Sequence, residues 1–424
     1  MNLGLQRWVD RWVGVPLCAG ISVWEAVRQG LGMGRRAPPQ PRGIVVILLS
    51  EMGSLVLAHE MFTRLQQRHP GTAVHVMLFG KNREILDLMR LVPPSQVHCV
   101  DDKSLSGLVS SLLRCLLALR RAKVDVAIDC ELFSRISSLL AWACGASVRV
   151  GFHRHTQEGL FRGSRHMINR PVPYNPYQHI GVQFQGLVRA IDATAHPLTK
   201  LVSPAPVMGS TLKPPPPVAL AAADVPAIQA RLQQDFPTTT DKPLVLVYPG
   251  GGILPIRAWP LEHYEALCKA LMADGCVVGV IGLRDDAPLA QALMQRCNPP
   301  GAPAHSASCL DFTGYTRSIR ELLALFHVAR LLVTNDGGPG QFAALTPIQT
   351  VMLFGPETPA LYGPISPRNH NFYSQWPCSP CLTAYNHRNS FCDGDNQCLK
   401  VIAPAQVIAK ARECLDQPMA TGVA

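Results

Sequence analysis

Two runs of alternating apolar strands and amphipathic helices, separated by a proline-rich stretch, constrain this chain more than any other feature. In the first run, residues 44–49, 73–79, 96–100, 124–128 and 147–151 are short apolar or β-branched segments. The spacing predicts helices over 55–68, 84–90, 104–121 and 133–144 between them. The second run predicts strands at 244–248, 277–281, 331–334 and 350–354, with helices at 261–273, 286–296, 318–330 and 340–345. Strands that are apolar throughout are covered on both faces, which implies parallel sheets with helices on each side. Residues 203–217 include four consecutive prolines, Pro214 to Pro217, and suit neither element.

A chain of 424 residues exceeds what one core usually supports. An α/β protein with two Rossmann-like domains follows: residues 43–200 and 241–365, joined by a Pro-rich linker over 201–240. An extension over 1–42 and a Cys-rich loop with a C-terminal helix over 366–424 complete the chain. Ligands on such sheets lie beyond the carboxyl ends of the strands, so the loops after Leu49, Ile128, Tyr248, Ile281 and Thr334 are the ones to watch.

Net charge of +10 favours acidic partners: a nucleotide diphosphate, a phosphorylated glycolipid or an anionic membrane surface. Nucleic acid is set aside, because aromatic residues make up only 6% and do not interleave with basic ones. Most of the 14 cysteines, such as Cys115, Cys144, Cys268 and Cys276, sit in apolar runs as small buried hydrophobes of a reducing compartment. No apolar stretch reaches the roughly 20 residues that span a bilayer, and the N-terminus lacks the pattern of a signal peptide. The expected location is cytoplasmic, peripheral on the inner face of the cytoplasmic membrane. Near the N-terminus Leu5, Trp8, Val9 and Trp12 share a helical face opposite Arg7, Asp10 and Arg11. That suits an interfacial helix on anionic lipid, or a helix docked on the protein's own core.

Residues 333–359 pack a strand, the turn Asn335-Asp336-Gly337-Gly338, a short helix and a second strand into one tract. Glycines let the backbone approach a ligand, and first-turn N–H groups with a positive dipole end suit a diphosphate. The tract resembles the donor-site signature of glycosyltransferase family 9, the heptosyltransferase family. Further landmarks follow in order: Leu48-Leu-Ser-Glu-Met-Gly-Ser54, Asp125 to Asp129 with Arg135 and Gly151-Phe152, and Tyr248-Pro-Gly-Gly-Gly252 with Arg257-Ala-Trp-Pro260.

The resemblance implies a GT-B fold, two Rossmann-like domains facing each other across a donor/acceptor cleft. It implies an inverting, metal-independent transfer of a sugar, usually heptose from ADP-heptose, to a lipopolysaccharide-core or related glycolipid acceptor. In such a reaction Gly250, Gly251, Asp336, Gly337, Gly338 and Gln341 would bind the donor. Arg257, where the family commonly has lysine, would meet the charge that develops on the leaving diphosphate. Two positions depart from the family. Ser54 replaces the aspartate proposed as base and cannot take a proton unaided, which turns attention to Glu51, then to Asp129 and Glu131, then to His59. Gln341 replaces a histidine and cannot carry a proton charge. A non-catalytic nucleotide-sugar-binding or scaffold protein of envelope assembly is therefore a second class of function open at this point.

Two other clusters stand out. Arg149, Arg154, Arg162, Arg165 and Arg170, with His153, His155 and His166, form the densest cationic stretch. Arg154, His155, Arg162 and Arg165 are the candidate contacts to acceptor phosphates. Cys378, Cys381, Cys392 and Cys398 suit a structural zinc, with disulfides or unliganded thiols as the other readings. The last segment, 403–415, has the pattern of an amphipathic helix, which in GT-B proteins often crosses back to the first domain.

Overall fold

The computed structural model describes residues 12–33, 40–49, 51–153, 167–193, 212–298, 308–386 and 388–418. The chain forms two compact units, Met1–Leu212 and Lys213–Ala424. In the first, strands β1 (Gly43–Ile47), β2 (Ala73–Phe79), β3 (Val97–Val100), β4 (Val126–Asp129), β5 (Val148–His153) and β6 (Arg170–Pro173) make one sheet in the order β3-β2-β1-β4-β5-β6. Every pairing is parallel. All five residues of β1 are buried, as its unbroken apolar sequence requires. Cys115 and Leu119 of helix Leu105–Arg121 and Leu140 and Ala141 of helix Arg135–Ala143 share one core with Val45, Ile47 and Ala127. Helix His59–Arg68 packs on helix Ile180–Ala190.

The second unit repeats the plan. Strands β7 (Leu244–Tyr248), β8 (Val277–Gly282), β9 (Cys309–Thr313), β10 (Leu331–Asn335), β11 (Gln349–Phe354) and β12 (Asn369–Tyr373) run parallel in the order β12-β11-β10-β7-β8-β9. In both sheets the strand order reverses beside the first strand, between β1 and β4 and between β7 and β10. Such reversals open the crevice where α/β ligands sit.

The α/β fold with two doubly covered parallel sheets is the one expected, and several details differ. The strands that the pattern did not reveal, β6, β9 and β12, are all at sheet edges. An edge strand has one neighbour, so Pro171 and Pro173 are tolerated in β6 and the polar residues of Asn369–Tyr373 in β12. Helix Asp224–Asp235 lies inside the stretch expected to be linker and packs on helix Ile319–Val328. Arg231 fixes it there, with Nη2 2.9 Å from Glu321 and its guanidinium over the Tyr315 ring. Helix Gly14–Gly30, expected to stand outside the folded domains, packs on helix Arg135–Ala143, where Trp142 Nε1 donates to Glu25 Oε1 at 2.7 Å. The face expected from Leu5, Trp8 and Val9 lies outside the described residues. The last helix, Pro404–Asp416, packs on helix Leu261–Ala273 and belongs to the core of the second unit through Val407, Ala411 and Cys414.

Candidate functional site

In the second unit three adjacent strands, β11, β10 and β7, deliver their carboxyl ends side by side. Asn335, the last residue of β10, is completely buried and uses its whole hydrogen-bonding capacity. Its Nδ2 donates to the carbonyls of Gly250 (2.9 Å) and Tyr248 (3.3 Å). Its Oδ1 accepts from the Trp259 N–H (3.0 Å) and the Tyr264 hydroxyl (3.1 Å). One amide thus pins the turn 249–252 and the segment carrying Arg257 to the end of β10. The turn itself demands glycine: a Cβ on Gly251 would stand 2.6 Å from Leu254 O and 2.7 Å from Pro255 Cα. Gly340 plays a packing part instead, since a Cβ there would meet Met352 Sδ at 2.6 Å and hold helix Gly338–Ala343 off the sheet.

Arg257 reaches the centre of this arrangement. Its Nη2 donates to Glu357 Oε2 at 2.6 Å, and its Nε lies 3.5 Å from Asp336 Oδ2. Arg388 approaches Glu357 from the other side, Nε to Oε1 at 3.2 Å, and its guanidinium lies 5.5 Å from the Tyr362 ring centre. Burial acts to lower the Arg257 pKa, but the charges of Glu357 and Asp336 outweigh it and the net shift is upward. For Glu357, which is only 3% exposed, burial raises the carboxyl pKa against the pull of Arg257. Gln341 Nε2 donates to Tyr362 O at 2.7 Å, while its buried Oε1 has no hydrogen-bond partner. Asp336 Oδ2 and Arg257 Nε, paired with each other at 3.5 Å, are buried without a hydrogen bond. Buried polar atoms left unmet at the end of a parallel sheet are what a polar ligand satisfies.

The structure therefore brings Gly250, Gly251, Arg257, Asp336, Gly337, Gly338 and Gln341 together, and adds Glu357, Arg388 and Asn335. A sequence signal for Glu357 existed: it is the acid in Gly355-Pro-Glu-Thr, immediately beyond β11. Arg388 had none, because it is 31 residues from Glu357 in a stretch without regular pattern.

In the first unit the loop after β1 carries Glu51, whose backbone caps helix Met52–Leu57 without a side-chain cap bond. Ser54 Oγ lies 3.4 Å from Glu51 Oε2, so the serine is a hydrogen-bond partner of the carboxylate. Asp129 is placed differently from the expectation of an accessible base. It is 1% exposed, and its Oδ2 accepts from the hydroxyls of Ser137 (2.8 Å) and Ser138 (3.1 Å), which ties β4 to helix Arg135–Ala143. Glu131 Oε1 accepts the Leu49 N–H at 2.7 Å and holds the loop after β1 in place. His59 is buried against Val56 O, at 3.1 Å.

The cationic stretch is corrected in part. Arg149 is buried and structural: Nε donates to Met167 O and Nη1 to Ala146 O, each at 2.7 Å. Arg154, His155, Arg162 and Arg165 lie outside the described residues. The four cysteines of the zinc expectation all lie among the described residues. Among the described residues no group of three or more His, Cys, Asp or Glu is placed to hold a metal ion. Cys381 Sγ pairs with Ser390 Oγ (3.2 Å), Cys392 Sγ faces Asn396 Oδ1 (3.4 Å), and Cys378 is exposed. Burial first, then the neighbouring Cys381, Cys378 and Cys392, pushes Cys398 up to about 11, so that thiol stays protonated.

Comparison with known proteins now bears on the reading. The family model for glycosyltransferase family 9 (heptosyltransferase) matches residues 112–390. The chain belongs to glycosyltransferase family 9. As a member of the family it is a glycosyltransferase. It is 22% identical to lipopolysaccharide heptosyltransferase 2 of Salmonella typhimurium over 377 residues, 88% of this chain and 99% of that protein. It is 28% identical to lipooligosaccharide heptosyltransferase 2 of Haemophilus ducreyi over 148 residues, 34% of this chain and 41% of that protein. The solved structure of Escherichia coli ADP-heptose lps heptosyltransferase II superposes with a TM-score of 0.64 at 20% identity, covering 88% of this chain and 98% of that one. E. coli heptosyltransferase WaaC with ADP gives 0.57 at 15% identity, over 88% and 99%. These likenesses establish the GT-B type of fold.

Proposed function

We propose that this glycosyltransferase moves a heptose from ADP-heptose to a lipopolysaccharide-core or related envelope glycolipid, with inversion and without a catalytic metal. The observation that carries the reading is the Arg257 guanidinium, held between Asp336 and Glu357 at the end of β10 and β11. Relatives named for lipopolysaccharide heptose transfer, and a relative solved with ADP, support the choice of donor and acceptor. In a single displacement the acceptor hydroxyl oxygen attacks the anomeric carbon while the bond to the diphosphate oxygen breaks and its electron pair leaves on the phosphate. Arg257 and the N–H groups at Gly337 and Gly338 meet that charge. Glu51 accepts the hydroxyl proton, and Ser54 steadies it through the 3.4 Å contact.

The basic stretch with Arg154, His155, Arg162 and Arg165 binds acceptor phosphates in this proposal, on a protein at the cytoplasmic face of the membrane. Family membership favours an enzyme over the scaffold reading. The test is incubation with ADP-heptose and a heptose-acceptor core glycolipid, following ADP release and the mass of the glycolipid. Wild type should add one heptose. Glu51→Gln should lose about 10²- to 10⁴-fold in rate, the usual range for a general base, while still binding ADP. Binding of ADP with no transfer by wild type would return the scaffold reading.

A further inference from the structure

Two helices of the first unit show water a face that ordinary surface helices hide. In helix Gly14–Gly30 the inward positions are Cys18, Ser22 and Glu25, and the outward ones include Leu17, Gly20, Val23, Trp24 and Val27. Val23 is 66% exposed and Trp24 60%, whereas Glu25, the helix's one acidic residue, is 4% exposed and bonded to Trp142. The polarity is turned inside out. Helix Leu105–Arg121 carries a second stripe at intervals of four, Leu105, Val109, Leu113 and Leu117, each more than half exposed. That helix contains no Asp or Glu, and Arg114, Arg120 and Arg121 are exposed beside the stripe.

Both helices stand on the same side of the first sheet. Helix Leu105–Arg121 shares its core with helix Arg135–Ala143, and Arg120 Nε donates to Ala143 O at 2.9 Å. Helix Gly14–Gly30 covers helix Arg135–Ala143. Both outward stripes thus lie on helices that neighbour helix Arg135–Ala143, and the exposed arginines edge the stripe of helix Leu105–Arg121. Apolar area with cations and no outward acid is the pattern that inserts shallowly among the headgroups of an anionic bilayer. No helix among the described residues is long and apolar enough to cross a membrane, so the contact is one of surface seating.

We propose that this side of the first unit, built from the stripes on helices Gly14–Gly30 and Leu105–Arg121, is the seat by which the protein docks on an anionic lipid surface. The inference deepens the reading of a glycolipid acceptor and rests on it for its purpose, though the surface chemistry stands without it. The full chain is sedimented with vesicles of phosphatidylcholine alone and of phosphatidylcholine with phosphatidylglycerol, at low and high salt. Binding is expected to the anionic vesicles and to weaken with salt. Val23→Glu with Trp24→Glu, and separately Leu113→Glu with Leu117→Glu, should each cut the bound fraction at least about tenfold. The ADP-induced rise in melting temperature serves as the control for folding and for the donor site, and should be the same in all three proteins. Equal vesicle binding by the variants, or no binding by wild type, overturns the proposal. So does a stable dimer in solution that both variants dissolve, since a second copy would then be the occupant. Loss of the ADP response in wild type with vesicle binding intact would instead strike the donor reading and leave the lipid seat standing.

Discussion

At the scale of single residues, the candidate site of the second unit is a problem of buried charge. Arg257 is held by two carboxylates, so removing either changes its position as well as its charge. Truncating one partner of such a pair strands the other, at a cost of about 3–5 kcal/mol. Glu357→Ala should therefore lower stability by about that amount in denaturant melts, and Glu357→Gln by less, because an amide keeps an acceptor for Nη2. Equal melts for Glu357→Ala and wild type would show that Glu357 does not hold Arg257.

A second residue-scale expectation concerns acid. His75 Nδ1 and His98 Nε2 are 3.1 Å apart on neighbouring strands β2 and β3. Burial, and then the charge of His75, lowers the His98 pKa from 6.5 to about 4. The folded protein keeps the imidazole neutral while the unfolded chain protonates it below 6.5, so stability present above that pH is lost as pH falls toward about 4. Thermal melts over this window should show a shallower decline for His98→Asn than for wild type. An identical slope would remove His98 from the account.

Legibility was uneven at this scale. Arg257, Asp336 and the glycines were readable because their chemistry is tied to a turn. Asp129 was misplaced because an acid at a strand end looks the same in sequence whether it faces a ligand or the hydroxyls of Ser137 and Ser138.

At the scale of elements, the turn and the end of β10 behave as one part. Replacing Asn335 with alanine leaves the buried Gly250 carbonyl and Trp259 N–H without partners, while the Tyr264 hydroxyl keeps its bond to the Tyr248 carbonyl at 2.9 Å. Each unmet group costs about 1–3 kcal/mol, so Asn335→Ala should destabilise the protein by at least about 2 kcal/mol and weaken nucleotide binding. A loss below about 1 kcal/mol would mean that the turn holds itself. Central strands were legible because they are buried on both faces and must be apolar. Strands β6, β9 and β12 were not, since edge positions relax that demand. Helix Asp224–Asp235 escaped notice because proline-rich sequence beside it dominated the reading, and its anchor, Arg231 on Glu321, joins residues 90 positions apart.

At the scale of the molecule, both units use one plan, a six-stranded parallel sheet with a reversal beside its first strand. The plan was readable twice over from hydrophobic alternation. The sequence marks a candidate ligand site most clearly in the second unit, through its glycines and Arg257, and family membership fixes the class of reaction. The central claim is that the charged cluster after β7, β10 and β11 receives the diphosphate of an ADP-linked sugar. It is tested most directly by melting the protein with ADP, UDP and GDP, each at equal concentration, alongside Arg257→Lys. A ligand at 100 times its Kd stabilises the folded state by about 2.7 kcal/mol. ADP should raise the melting temperature by several degrees and the other two much less, with a smaller rise for Arg257→Lys, which keeps charge but loses the planar fork. Equal responses to all three nucleotides, or an ADP response unchanged in Arg257→Lys, would contradict the claim.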